Sequence, residues 1–434
     1  MSAREIDTER AMPLVDDEAA PVPEEGAARR TMSPGEVLER LKRGEPVTNV
    51  RVVGLELKGQ FDRPVVCKDV TLVQPQINRA AFAEIVEFGR CTIDRPRFNV
   101  STFAKGLCLG GSTVSRAEFR RLTVAGPFDC NNARFRGKFV LENSRFDAKV
   151  RLWEAVFQGW VSVRQCEFLG EADLRSLHAE QGFVLTACAF RSSFLFRGAT
   201  VEKKFEADKT RFEALTDFSK AKLHDFVYLE SIEQGENQTF AFANALAERI
   251  LVRPDQLEGH VASEKAGDYA QAMQEYGLLK RVFEGLHRYE QEDWAFYRFK
   301  VNQRRAKARS WTKPWTKVAR FCDWLLLDHG CGYGTNPLRA VRAALLIVLA
   351  FGIVYGLGVH MLHVEHPPFH GDKESLANRV MIGALTSVSA FTSGFGDIRG
   401  AAHGWMNLPL IAESLLGTLL WGLFIVAFSR KVIR

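Results

Sequence analysis

From residue 133 to residue 231 the chain divides into nine consecutive segments of eleven residues, among them "ARFRGKFVLEN", "SRFDAKVRLWE", "AVFQGWVSVRQ" and "CAFRSSFLFRG". The first position of each segment is mostly small: Ala133, Ser144, Ala155, Cys166, Cys188, Ala199, Thr210 and Ala221. The third carries Phe135, Phe146, Phe157, Phe168, Phe190 and Phe212. The seventh and ninth are mostly apolar, as in Phe139 with Leu141 and Val161 with Val163, and the residues between are largely polar. Local alternation of this kind means extended chain, because successive side chains of a strand point to opposite faces. A fixed longer period means stacked units, since no single unit buries its own apolar face. Helical heptads do not fit two alternating pairs per unit with glycine or serine between them. The expectation is a β-solenoid. At two units per coil and about 4.8 Å per coil, the regular part would stand roughly 20 Å tall.

These small-x-Phe units resemble the pentapeptide-repeat family, whose members are right-handed quadrilateral β-helices. The likeness is clear over 133–231 and looser over 45–132. It implies a solenoid over 45–231, with residues 232–260 as a linker or cap. Some family members mimic DNA to bind topoisomerase; the many outward Arg and Lys here argue against that role and leave scaffold or spacer as the expectation.

The repeat accounts for a compositional bias, 32 phenylalanines against 7 tyrosines. It also absorbs several of the eight cysteines, which show no zinc-type spacing and read as reduced, buried thiols. The net charge of +6 has much of its excess near the apolar runs described below, so no nucleic-acid footprint is inferred. Residues 1–44 open with Glu, Ala, Pro and Arg and no apolar core; this segment is expected to be disordered and is not a signal peptide. Residues 261–309 place Tyr269, Met273, Tyr276, Leu279, Phe283 and Leu286 three or four apart, then Trp294, Tyr297 and Val301, which predicts a helical hairpin with an aromatic packing face. In 310–336, Trp311, Trp315 and Trp324 beside Lys313, Lys317 and Arg320 suit a membrane interface, and "GCGYGTN" reads as a turn.

The segment 337–434 holds two apolar runs, "VRAALLIVLAFGIVYGLGVHML" and "LPLIAESLLGTLLWGLFIVAF". Each is near the ~20 residues needed to cross ~30 Å of hydrocarbon. Arg339 and Arg342 flank the start of the first; Arg430, Lys431 and Arg434 follow the second. That asymmetry predicts a multi-pass protein of the cell (inner) membrane with both termini cytoplasmic. Between the runs lie a moderately apolar stretch too short to cross, "LANRVMIGALTSVSAF", and then "TSGFGD". Irregular backbone at membrane depth is tolerated only where it lines water or is buried in protein.

"TSGFGD" resembles the potassium-channel signature T-V-G-Y-G-D, with Thr392, Gly394, Gly396 and Asp397 at matching positions. Phe395 stands for the tyrosine and Ser393 for an apolar residue. The likeness covers about 337–434 and implies a re-entrant pore loop, a filter of backbone carbonyls from Thr392 to Asp397, and a homotetramer conducting K+ or, less selectively, Na+ as well. Taken with the solenoid, the chain resembles a bacterial pentapeptide-repeat ion channel. Glu413 inside the second run is either a buttress bonded to pore-loop hydroxyls or a functional carboxylate. Gly417 and Gly422 are candidate hinges or close-packing positions; Phe424, with Phe428, is a candidate constriction. His360, His363, His366 and His370 flank the outer loop and raise the idea of a pH- or metal-sensitive vestibule. No voltage-sensing arginine ladder, cofactor motif, metal-ligand spacing or nucleophile–base set is apparent, so an enzyme is not expected. A membrane-anchored scaffold with a degenerate pore, and a non-selective channel, are the rival readings. The solenoid's cytoplasmic partner or ligand is not specified by the sequence.

Overall fold

The computed structural model describes residues 30–307, 321, 323–363, 372, 374–392 and 402–432. Two compact units divide the chain, residues 1–266 and 267–434.

The first unit is a β-solenoid. One of its parallel sheets stacks ten short strands, one from each coil. Through most of the regular part a residue sits over another 22 further on, as in the Gln158–Glu180 contact, so two eleven-residue units make one coil. Consecutive units therefore feed different columns. Phe135 stacks on Phe157 with ring centroids 4.6 Å apart, while Phe146, Phe168, Phe190 and Phe212 form a second column at 5.1, 4.5 and 5.2 Å. These rings are buried, which removes each from water and adds offset stacking to the burial.

The small first position is also explained. Ser144, Cys166, Cys188 and Thr210 occupy one buried column. The Ser144 hydroxyl accepts from the Leu122 amide at 3.0 Å and donates to the Glu142 carbonyl at 2.8 Å. Cys166 Sγ makes the corresponding contact to the Arg164 carbonyl at 3.2 Å. Thiol and hydroxyl thus serve the same position, each bonded to the backbone beside it. The seven described cysteines form no disulfide.

The eleventh position makes the corner. Asn143, Glu154, Gln165, Ser176, Ala187, Gly198, Lys209 and Lys220 all have φ between 47° and 69°. Such left-handed backbone costs a non-glycine residue on the order of 1–2 kcal/mol. The ladder enforces it: the Gln165 amide donates to Thr186 at 2.9 Å and the Ala187 amide to Asp208 at 2.8 Å.

The looser likeness over 45–132 has a simple cause. Stacked positions there are mostly 20 or 21 residues apart, as in the Val47–Cys67 and Ala80–Ser101 pairs, so an eleven-residue frame slips by one or two each coil. Phe61, Phe82 and Phe103 still stack at 4.9 and 5.0 Å. Residues expected to be disordered include a helix, α1 (Pro34–Lys42), N-capped by Ser33 and buried through Val37 and Leu41. Strand structure also continues past 231, with Thr239–Ala241 and Leu246–Leu251 extending the stack. Beyond them the buried Gln256 side chain donates to the Leu229 and Glu230 carbonyls at 3.2 and 3.1 Å, closing the exposed end of the ladder.

The second unit is helical. The expected hairpin is α2 (Tyr269–Gly285) and α3 (Tyr289–Lys307), joined at a left-handed His287 and packed through Tyr276 on Trp294. After a turn at Gly332–Gly334 come α4 (Pro337–Leu357), α5 (Leu376–Thr392) and α6 (Asn407–Val432). Asn336 caps α4 by accepting from the Leu338 amide at 3.0 Å, with Pro337 at the first turn, where its missing N–H costs nothing. Two stretches, Pro337–Leu357 and Gly404–Val432, are long and apolar enough to cross a membrane. A core hairpin of a soluble protein would bury such segments; here 11% of an eighteen-residue apolar stretch in the first and 33% of one in the second are buried within the chain. Leu345, Leu346, Leu349 and Leu357 on α4, with Leu408, Trp421, Ile425 and Val426 on α6, stand exposed.

Candidate functional site

Helix α5 is held between the two apolar helices by glycine contacts and one buried carboxylate. On the α4 side, a Cβ on Gly383 would lie 2.2 Å from the Gly352 carbonyl oxygen and 2.9 Å from the Gly356 amide nitrogen. A Cβ on Gly356 would sit 3.0 Å from the Arg379 carbonyl oxygen. The two backbones touch, which only residues without a side chain permit. On the α6 side the approach is at Gly417, where an added Cβ would come within 2.4 Å of the Phe391 carbonyl oxygen.

Glu413 lies at the centre. It is fully buried, as are Tyr355 on α4 and Ser387 on α5. The Tyr355 hydroxyl donates to Glu413 Oε2 at 2.7 Å, and Ser387 Oγ is hydrogen-bonded to Glu413 Oε1. Ser387 Oγ also lies 2.8 Å from the Val348 carbonyl of α4. One carboxylate thus ties three helices together with both oxygens partnered, as a buried polar group requires. Tyr355 and Ser387 were not singled out in the sequence. The signal was present: a tyrosine in an otherwise apolar run needs a partner for its hydroxyl, and Glu413 is the corresponding orphan of the second run.

The C-terminal end of α5 carries the partial negative charge of its unsatisfied carbonyls. Thr392 ends the helix, its hydroxyl donating to the Val388 carbonyl at 2.7 Å. Ser393, Gly394, Phe395, Gly396 and Asp397 lie outside the described residues.

The remaining candidates separate. Gly417 is a close-approach position, whereas Gly422 has nothing within 4 Å of an added Cβ. Phe424 stacks against Phe428 at 5.8 Å and meets Trp421 edge-on at 6.0 Å. With Ala344, Leu345, Val348 and Phe391 it lines an open apolar groove of about 280 Å³. At the other end of the helices, Leu362 and Ala402 form an antiparallel bridge, and the His403 amide donates to Met361 at 2.9 Å. His363 meets His403 edge-on, ring centroids 6.0 Å apart; His366 and His370 lie outside the described residues. Among the described residues, no group of three or more His, Cys, Asp or Glu is placed to hold a metal ion.

No protein-family model, curated protein or solved structure matches this chain.

Proposed function

We propose that the chain is one subunit of a pore-loop cation channel, potassium-conducting and homotetrameric, whose right-handed solenoid assembles or regulates the pore from the cytoplasm of a bacterial-type inner membrane. The observation that carries this reading is the seating of α5. A helix too short to cross lies between two that are long enough, with its C-terminal end fixed against mid-α6 at Gly417 and its middle anchored to Glu413. In this reading the negative dipole end of the helix faces the conduction path that "TSGFGD" would line. One chain supplies one such loop, and a ring of carbonyls requires several, which is why the reading includes a symmetric oligomer. The basic ends at Arg339 and Arg430 support a cytoplasmic location for both termini.

The test is K+ flux from liposomes containing the intact protein. Flux that is lost in Gly396→Ala supports the filter. Reversal potentials in mixed K+ and Na+ separate selective from non-selective conduction. Intact, oligomeric protein that carries no flux would replace the channel with a membrane-anchored solenoid scaffold.

A further inference from the structure

Helix α3 grips the ends of both apolar helices. Near its C-terminus, Arg304 is 2.7 Å from Asp328 Oδ2, and the Tyr297 hydroxyl donates to Asp328 Oδ1 at 2.8 Å. Asp328 is nearly buried and precedes α4; Arg339, on the first turns of α4, donates to its carbonyl at 3.2 Å and covers the Tyr297 ring at 4.7 Å. Near its N-terminus, α3 presents Glu292 and Asp293 to Arg430, in the last turn of α6, at 3.3 and 3.1 Å. The Arg430 guanidinium also lies over the Phe296 ring at 4.3 Å, and Lys280 of α2 approaches Glu292 at 3.6 Å.

The cluster is largely buried. Glu292 and Asp293 are 1% and 14% exposed and Arg430 19%, far from the exposed geometry in which ion pairs contribute little. Among the described residues Glu292 and Asp293 face Arg430, with Lys280 beside Glu292, and the Phe296 ring adds a cation–π contact. From Glu292 to Arg304 the helix rises about 18 Å, at 1.5 Å per residue. A single rigid element therefore spans the two helix ends.

The two grips differ. The α4 end is held through a backbone carbonyl, two arginines and a tyrosine around Asp328. At the α6 end, among the described residues, the ion pairs to the hairpin come from Arg430. We propose that Arg430 is a positioning residue: it makes the C-terminal end of α6 follow the α2–α3 hairpin, while the α4 end stays fixed to the same helix. The proposal rests on the channel reading for its consequence, since the end of α6 would then set how widely the pore opens.

The experiment uses full-length protein in liposomes, with K+ efflux and hydrogen exchange read on the same samples. Arg430→Gln is expected to change efflux by about fivefold or more at unchanged oligomer size, the usual scale of a coupling between sites. It should also speed exchange in the last turn of α6. Arg430→Lys, which keeps the charge but not the planar fork, should fall between. Adding Asp293→Asn to Arg430→Gln should change little, because both cut one link. Efflux unchanged in Arg430→Gln, or effects of the two substitutions that simply multiply, would overturn the proposal. If Arg430→Gln fails to assemble, Arg430→Lys and Asp293→Asn carry the same comparison. If the intact protein conducts nothing, the channel reading fails by itself; the exchange data then decide the link, and unchanged exchange at the end of α6 overturns it.

Discussion

The Phe391 carbonyl oxygen occupies the space that a side chain on Gly417 would need: an added Cβ would stand 2.4 Å from it. Because Phe391 is the penultimate residue of α5, this contact sets how far the helix end sits from mid-α6. Gly417→Ala must push the two apart. Overpacking of this kind costs about 1–3 kcal/mol, and the expected result is reduced thermal stability of the detergent-solubilised protein. Gly422→Ala is the control. It has open space and a helical setting, so the exchange should be neutral or slightly stabilising by helix propensity.

The Glu413 network makes a graded prediction. Tyr355→Phe keeps the ring and deletes the hydroxyl that donates to Glu413 Oε2, leaving a buried oxygen short of a partner. The expected cost is about 1–3 kcal/mol. Ser387→Ala removes the partner of the other oxygen and should cost a similar amount. The two losses should not add, since both act on one carboxylate. Thermal unfolding of the single and double variants checks this. A double variant equal to the sum of the singles would show that Glu413 does not couple the helices.

How far the sequence reveals this architecture depends on what each element needs. The solenoid is legible from Phe135, Phe146 and their successors because the 22-residue coil contains two whole units and the Phe146 column repeats phenylalanine from coil to coil. The corners are not. Glu154, Gln165 and Ala187 are poor left-handed residues, and stacking hydrogen bonds override their local preference. The coils before residue 133 blur because their repeat of 20 or 21 residues, as from Val47 to Cys67 and from Ala80 to Ser101, does not divide by eleven. In the second unit, length and apolarity mark α4 and α6, and the carboxylate at 413 marks itself. Its partners Tyr355 and Ser387, 58 and 26 residues away, stand out as polar groups in apolar stretches, but which of them meets the carboxylate is decided by helix packing. The Arg430–Glu292 pair, 138 residues apart, is hidden for the same reason, since a basic helix end also reads as a membrane flank.

The buried thiols give a pH dependence with a definite sign. Burial pushes the Cys67 thiol up, with the neighbouring Cys91 adding to the shift, and burial pushes Cys130 up, followed by Asp129. A group whose folded value is raised contributes stability that is complete below its unfolded value. That contribution is lost as pH rises toward the folded value. Stability of the solenoid should therefore decline above about pH 8.5, the ordinary thiol range, as the unfolded chain releases protons that the folded chain keeps. For the same reason Cys67 and Cys130 should resist alkylation at pH 8 in the folded protein and react once it is unfolded. Mass spectrometry of alkylated peptides reads this directly; rapid labelling of either cysteine in folded protein would contradict the burial argument.

The corner residues offer a test in the stabilising direction. Ala187 has φ of 52° and an exposed side chain, so its methyl group adds strain at the corner and little burial. Replacing it by glycine removes the left-handed penalty, although the unfolded chain gains freedom that offsets part of the benefit. The balance for an L-residue forced to positive φ favours glycine by about 1 kcal/mol. In a unit of this size that corresponds to a rise in Tm of about 2–4 °C. Gly198, at the same place in the next unit with φ of 69°, provides the reverse: Gly198→Ala should lower Tm by a similar amount. Its added Cβ would meet only Ser176 Oγ at 3.6 Å, an ordinary contact, so a loss there would come from backbone conformation and not from a clash. Opposite shifts at the two corners would establish that the eleventh residue of each unit is held left-handed by the stacked ladder; shifts of the same sign would show that the corners relax.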